Sequence, residues 1–176
     1  MDISHDVTNL LFAIVPGLLV FLTAYFLIKR FLDNEQRVKF AELKASMKKD
    51  LMPLRLQAYE RIVLFLERVS PNNLLNRVYE PGMSVSDFHR ALLLTIRTEY
   101  EHNITQQVYM TNAVWNVVKN GRDELVKTIN LAFGECDADA PGLELSKKVF
   151  EVMVRKNEFP IQNALDQVKN EAHQLF

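Results

Sequence analysis

The sequence is poor in the residues that interrupt helices and in the patterns that form strands. Only five of its 176 residues are glycine and six are proline. Strand-like alternation is almost absent, whereas apolar residues recur at intervals of three and four along most of the chain. We therefore expect an all-α protein, without internal repeats or low-complexity segments.

A single cysteine, Cys136, excludes an internal disulfide and agrees with a reducing compartment. It lies between Glu135 and Asp137, whose negative charges raise the pKa of the thiol and weaken it as a nucleophile. We expect no catalytic role for this residue.

Phosphate-binding and nucleic-acid-binding signatures are missing as well. Asn120-Gly121-Arg122 lacks the glycine spacing and the Lys-Ser/Thr of a phosphate loop. No basic face is interleaved with aromatic residues, and residues 56–176 hold thirteen Lys and Arg against sixteen Asp and Glu. The sequence thus indicates no nucleic-acid partner, no cofactor and no small-molecule substrate.

One long apolar run stands out against this background. Leu10 to Ile28 contains no ionisable side chain except Tyr25. As a helix it is about 28 Å long, close to the hydrocarbon core of a bilayer, which is about 30 Å thick. Pro16 and Gly17 are tolerated in membrane helices. The run predicts a transmembrane helix with the lipid bilayer as its partner.

The flanks of the run predict its orientation. Asp2 and Asp6 precede it without any Lys or Arg, and no Ala-x-Ala cleavage pattern follows, so we expect an uncleaved anchor. Basic residues retained on the cytoplasmic side follow it closely: Lys29, Arg30, Arg37 and Lys39. These residues either contact anionic headgroups at the membrane surface or are solvated residues with the usual cytoplasmic bias.

Four segments are expected along the chain. Residues 1–9 form a short extracytoplasmic N-terminus, and residues 10–28 form the transmembrane helix. Residues 29–52 form a charged juxtamembrane stalk helix, and residues 53–176 form a cytoplasmic helical domain. Pro53 marks either a kink or a new helix start. The predicted fold is therefore an anchor, a stalk and a bundle of about five helices.

The stalk carries a narrow apolar stripe at helical spacing, made of Phe40, Leu43, Met47 and Leu51. A stripe of this width suits one partner helix, which is either part of the chain's own domain or a second copy. The residues are therefore candidates for partner binding or self-association.

Two charged pairs lie on the helix that follows. Glu60-Arg61 and Glu67-Arg68 are seven residues apart on the most apolar part of the soluble chain. They form either a solvated edge or a recognition surface for a partner helix.

Glu99 and His102 have the Glu-x-x-His spacing that places a carboxylate and an imidazole on one helical face in di-iron bundles. Such sites need a second Glu-x-x-His, and the chain lacks one, since Glu171 and His173 are only two residues apart. The competing interpretation is a polar helix end, where His102 is favoured by the helix dipole.

Several helix boundaries are also predictable. Ser84 or Ser86, Thr111 and the Ser70-Pro71 pair are typical of helix starts, as is Pro160. Residues 104–110 are expected to be a connector, with room for a short extended segment. Asn120-Gly121 allows a hairpin, but the apolar stripe keeps one phase across it, which favours a bent or broken helix.

Short motifs across most of the chain resemble a known group of sequences. They are Gln57-Ala-Tyr-Glu-Arg-Ile62, Leu64-Phe-Leu-Glu-Arg68, Ser70-Pro-Asn-Asn-Leu74, Glu101-His-Asn103, Gln106-Gln-Val-Tyr109 and the stretch from Trp115 to Asn120. Together they resemble a family of uncharacterised, membrane-anchored proteins of Bacteroidota. The resemblance implies one anchor in a bacterial inner membrane and a cytoplasmic helical domain. It transfers no activity and no functional residue.

Two functions follow as expectations. The first is a membrane-tethered, non-enzymatic interaction module: an adaptor or accessory subunit of a bacterial inner-membrane or envelope complex. The alternative is a small helical-bundle enzyme, or a metal-binding or ligand-binding domain, centred on Glu99 and His102.

Overall fold

A computed structural model of the chain describes residues 3–157 and 159–175, with side chains from residue 14 onward. The side chains of the predicted extracytoplasmic segment 1–9, and those that begin the predicted anchor, lie outside the described residues. Over the described residues the chain is helical without a strand, which confirms the all-α prediction. Its α-helices are α1 (Ile3–Val69), α2 (Pro71–Val78), α3 (Val85–Asn103), α4 (Asn112–Gly134), α5 (Leu143–Lys156) and α6 (Pro160–Leu175).

The chain divides into two compact units, Met1–Leu51 and Met52–Phe176. From Ile3 onward the first unit belongs to α1, and every described side chain in it, from residue 14 to residue 51, is exposed. Its apolar part includes an 18-residue window of mean hydropathy 1.7, none of it buried. Within the described residues this is the one helix long and apolar enough to cross a membrane.

α1 also runs through Pro53, so the alternative of a new helix start there is wrong. A proline inside a helix removes one backbone hydrogen bond, and the remaining bonds on both sides keep this helix intact.

The second unit is built around buried faces of α1, α3, α4, α5 and α6. The end of α1 contributes Tyr59, Ile62, Phe65, Leu66 and Val69 to one continuous apolar core. α4 packs against α3, α5 and α6 and buries Val118, Leu125 and Ile129 at its centre. Each of these sets recurs at intervals of three, four or seven, so one helical face points inward.

The predicted helix starts hold with one change of mechanism. Ser84 Oγ accepts a hydrogen bond from the Asp87 N–H at 3.1 Å, and Thr111 Oγ1 accepts one from the Val114 N–H at 3.3 Å. Ser70 occupies the N-cap of α2, but its hydroxyl donates back to the Glu67 carbonyl at 2.7 Å instead. α2 therefore begins at Pro71 without a side-chain cap. Proline at this first helical position has no N–H, which leaves one unpaired backbone donor fewer at the helix start.

At two places the structure differs from an alternative that the sequence allowed. The connector at residues 104–110 is a 3₁₀ helix, Ile104–Tyr109, and not an extended segment. α4 passes through Asn120 and Gly121 without a break, so of the predicted alternatives the hairpin and the broken helix are wrong. The unbroken apolar stripe of α4 outweighs the local turn preference of Asn-Gly.

Gly121 has a packing function instead, because α6 begins directly against it. A Cβ built on Gly121 would lie 3.1 Å from the Pro160 carbonyl oxygen and 3.3 Å from the Ala164 Cβ. The missing side chain thus lets the start of α6 approach α4 closely.

Replacing Gly121 should therefore destabilise the second unit. We expect Gly121→Val to lower the free energy of unfolding by about 1–3 kcal/mol, because the added methyl groups overpack the contact with α6. Denaturant unfolding of the full chain in detergent, followed by the fluorescence of the single, buried Trp115, measures this change.

Gly134→Ala is the matched control. Nothing lies within 4 Å of its added Cβ, so the alanine should stabilise the helix by about 0.5 kcal/mol. Equal effects of the two substitutions would contradict the close approach at Gly121.

Candidate interaction surfaces and polar centres

The predicted stripe on the stalk lies within the first unit and is fully open to solvent. Phe40 is 76% exposed, Leu43 64%, Met47 59% and Leu51 48%. At about 100° of rotation per residue, the four side chains lie on one face of α1. Their exposure as a group, rather than singly, is typical of an interaction surface.

The four basic residues predicted to lie at the membrane surface are likewise exposed: Lys29, Arg30, Arg37 and Lys39. Lys39 forms an i,i+4 ion pair with Glu35 at 2.8 Å, and both side chains are largely in solvent. Pairs of this kind contribute about 0.3–0.5 kcal/mol. Ion pairing therefore contributes little to the stability of this basic segment, and the helix itself positions its side chains.

The two charged pairs on α1 in the second unit differ in their environment. Glu60 and Arg61 are exposed, as a solvated edge or a recognition surface requires. Arg68, in contrast, binds Glu99 of α3, and Glu67 Oε1 lies 3.8 Å from Lys169 Nζ of α6. The second pair therefore joins α1 to its neighbours within the domain.

Glu99 is the centre of this ion-pair cluster. Its Oε1 lies 2.6 Å from Arg68 Nη2 and 3.3 Å from Arg77 Nη1, and its side chain is only 16% exposed. Arg77 also donates to the Arg68 carbonyl oxygen at 3.2 Å. The cluster thus ties together the end of α1, the end of α2 and the last turns of α3.

The electrostatics of Glu99 follow from these neighbours. Burial by itself raises the pKa of the carboxyl, but the hydrogen bond and charge of Arg68, together with Arg77, outweigh it. The pKa therefore lies below its usual value near 4.5. The carboxylate is ionised and already held by two guanidinium groups.

His102 lies one helical turn beyond Glu99 and is exposed. The two residues line a shallow depression with Arg61, Leu64, Phe65, Arg68 and Asn103. Among the described residues no group of three or more His, Cys, Asp or Glu side chains is placed to hold a metal ion. A di-iron site needs free carboxylates facing each other, whereas Glu99 faces two cations.

A second polar centre was not predicted, and it lies around Glu171 of α6. The Tyr59 hydroxyl of α1 donates to Glu171 Oε1, and the Thr111 hydroxyl donates to Oε2. The Thr111 N–H also donates to Oε1, at 3.2 Å. One carboxylate therefore links the end of α6 to α1 and to the start of α4, where the helix dipole favours a negative charge.

Burial and hydrogen bonding act together on the pKa values of Tyr59 and Glu171. The Tyr59 side chain is 2% exposed, and burial followed by the hydrogen bond to Glu171 raises its pKa to about 12. Burial opposes the ionisation of Glu171, but hydrogen bonds from Thr111 and Tyr59 outweigh it and lower its pKa. The sequence does hold one signal: Glu171 comes three residues after the buried Val168, on the inner face of α6.

The predicted rise in the pKa of Cys136 is confirmed in direction. Its largest cause is burial, followed by the charge of Glu144 on α5, whereas the neighbouring Glu135 contributes less. A tertiary neighbour therefore acts more strongly on this thiol than the acidic residues beside it in sequence.

One apolar groove on the second unit was not predicted. It is lined mainly by the start of α2, the end of α5 and the start of α6, and its volume is about 400 Å³. Phe150, Val154 and Phe159 are exposed along it. Phe150 and Val154 lie off the buried face of α5, and this off-face position was the available signal.

Comparison with known proteins gives a family without an assigned activity. Residues 5–175 match the family of unknown function DUF7935, and the chain belongs to this family. The expectation of an uncharacterised family is thereby confirmed. No curated protein and no solved structure shows significant similarity to the chain.

Removing the Glu99 carboxylate should destabilise the second unit. Glu99→Gln leaves Arg68 and Arg77 facing a neutral amide, and we expect a loss of about 1 kcal/mol because the arginines are partly solvated. Glu101→Gln, which breaks an exposed pair with Arg97 on the same helix, should cause no measurable change. Urea unfolding followed by Trp115 fluorescence distinguishes the two variants.

The same carboxylate predicts a pH dependence. Because its pKa is lower in the folded chain, Glu99 stabilises the fold fully above its usual value near 4.5, and this contribution disappears as the pH falls through the lowered folded value. The difference in stability between the wild type and Glu99→Gln should therefore shrink on acidification. A constant difference from pH 7 to pH 3 would contradict the ion-pair cluster.

The Glu171 centre gives a third prediction. Tyr59→Phe removes one donor to a partly buried carboxylate, and we expect the free energy of unfolding to fall by about 1–2 kcal/mol. Tyr79→Phe is the control, since Tyr79 contacts Phe88 edge-on through its ring, 5.5 Å between centroids. The same fluorescence assay applies, and a Tyr59 variant as stable as its control would rule out the link through Glu171.

Proposed function

We propose that this member of DUF7935 is a membrane-tethered, non-enzymatic interaction module, an adaptor or accessory subunit of a bacterial inner-membrane complex. Residues 10–28 span the bilayer, the N-terminus lies outside, and residues 29–176 lie in the cytoplasm. The host is a bacterium of the Bacteroidota, as the sequence motifs suggest.

The main support for a membrane anchor is that the apolar window of α1 is not buried by any other part of the described structure. None of it is buried, and its mean hydropathy is 1.7. Each exposed Leu, Ile or Phe side chain forgoes about 1.5–3 kcal/mol relative to a buried one. A bilayer removes that cost, and the α-helix leaves no backbone polar group unsatisfied in lipid.

The orientation rests on the distribution of charge. The first Lys or Arg of the chain is Lys29, directly after the apolar run, and six more follow before residue 52. Since basic residues are retained on the cytoplasmic side, this distribution supports a second unit inside the cell.

The interaction role rests on the exposed stripe of the first unit, Phe40, Leu43, Met47 and Leu51. The enzymatic alternative centred on Glu99 and His102 is less well supported, because Arg68 and Arg77 already bind the Glu99 carboxylate. A carboxylate that is already paired with two arginines is poorly suited to binding a substrate. The ion pairs of Glu99 therefore fit a structural role, which leaves the exposed surfaces of the chain for interaction.

Membrane extraction tests the anchor. We expect the wild-type chain to stay in the membrane pellet after an alkaline carbonate wash. Leu19→Arg combined with Leu22→Arg should shift it to the supernatant, because each arginine near the centre of the span costs about 2.5–3.5 kcal/mol. Leu94→Arg, at an exposed site of the second unit, is the matched control and should stay in the pellet.

Release of the wild type by the wash would refute the anchor. Protease added to intact spheroplasts tests the orientation separately, since digestion of the second unit from outside would reverse it.

A further inference from the structure

We infer that the stripe Phe40, Leu43, Met47 and Leu51 binds an acidic amphipathic helix of another protein, and neither lipid nor a second copy of this chain. The inference rests on the proposed function, because it takes residues 10–28 to be anchored in the bilayer.

The dimensions of the stripe define the kind of partner. Its residues are spaced by three, four and four, so they lie within about 80° of arc and extend over about 17 Å of helix. The mean spacing of about 3.67 residues keeps the stripe nearly parallel to the helix axis. A single partner helix of three or four turns covers such a face, whereas a sheet or a globular surface needs a broader one.

Basic residues border the stripe along one side. Arg37, Lys44 and Lys48 lie at about 60–100° from its centre, all in the same direction around the helix. Glu35 and Glu42 lie on the opposite face, about 120–140° from the centre. All five side chains are exposed, and residues 29–51 hold seven basic against four acidic residues. The face that a partner meets is therefore apolar, with a cationic border on this side and one basic and one acidic residue, Lys39 and Asp50, on the other.

Lipid is excluded by distance. α1 continues from the apolar run without a break, and residues 18–52 contain neither glycine nor proline. At about 1.5 Å per residue, Phe40 lies about 18 Å beyond Ile28 and Leu51 about 35 Å beyond it. The headgroup layer is about 5–8 Å thick, and charges are screened over about 8–10 Å. A helix that crosses the bilayer thus carries the stripe beyond the membrane surface.

A second copy places like charges opposite each other along the Arg37, Lys44 and Lys48 side in either orientation. In a parallel pair, Lys39 of one copy faces Lys44 of the other across the border of the interface. In an antiparallel pair, the row Arg37, Lys44 and Lys48 faces the same row. Opposite charges on a different helix turn both sources of repulsion into attraction, so an acidic border on the partner is complementary.

Site-specific photo-crosslinking of the full-length chain in its native membrane tests this inference. A benzophenone side chain replaces Ser46, beside the stripe, and in a separate variant replaces Ala45, on the opposite face of the helix. We expect Ser46 to crosslink to a helical segment of another protein that is rich in Asp and Glu, as identified by mass spectrometry of the crosslinked peptide. Ala45 should give no such product.

Charge reversal tests the border itself, with the Ser46 probe in place. Lys44→Glu should lower the crosslinking yield at least fivefold, whereas Lys49→Glu, the same change on the opposite face, should leave it within twofold. Equal losses for the two variants would overturn the inference.

The identity of the crosslinked product separates the remaining outcomes. A product with a second copy, with lipid, or with a segment without acidic residues refutes the acidic helix. A second copy or such a segment leaves the interaction module intact. If neither the Ser46 probe nor any further probe along the stripe gives a protein product, both the inference and the proposed function are refuted.

Discussion

The main physical constraint on this structure is that α1 carries apolar surface which the fold itself does not bury. α1 carries apolar residues along its whole described length, but they have two different environments. In the second unit Ile62, Phe65 and Leu66 enter a continuous core. In the first unit the apolar window and the stripe from Phe40 to Leu51 are exposed. The hydrophobic effect favours burial of the apolar residues in both units equally. In the first unit, the proposed bilayer would cover the apolar window and the proposed partner helix would cover the stripe.

Two carboxylates link helices of the second unit in a way that their local sequence conceals. Glu99 joins α1, α2 and α3 through Arg68 and Arg77, and Glu171 joins α6 to Tyr59 and Thr111. Both are ionised because cations or donors outweigh the cost of partial burial. In sequence, Glu99 has the spacing of a metal ligand, but in the structure its carboxylate forms ion pairs with Arg68 and Arg77. Spacing along one helix therefore did not decide the chemistry of this residue.

The predictable parts of the structure depend on short-range patterns. The apolar periodicity predicted the helices, and Ser84, Thr111 and Pro160 predicted where three of them begin, because caps and proline act within one turn. Two of the failures occurred where a distant contact outweighed a local preference. Asn120-Gly121 is helical because the stripe of α4 is buried on both sides, and Gly121 is needed for the approach of α6. The same limitation explains why the Glu171 centre, whose partners lie 60 and 112 residues away, was missed.

The sequence by itself determined the helical class, the apolar run, the charge asymmetry around it and the narrow stripe on the stalk, because each is a property of neighbouring residues along one helix. Only the tertiary structure decided which apolar faces are covered and which carboxylates are paired. Burial and ion pairing depend on residues that are distant in sequence and are brought together by packing. Glu67-Arg68 and Glu60-Arg61 look alike in sequence, but the first pair holds the domain together and the second faces solvent.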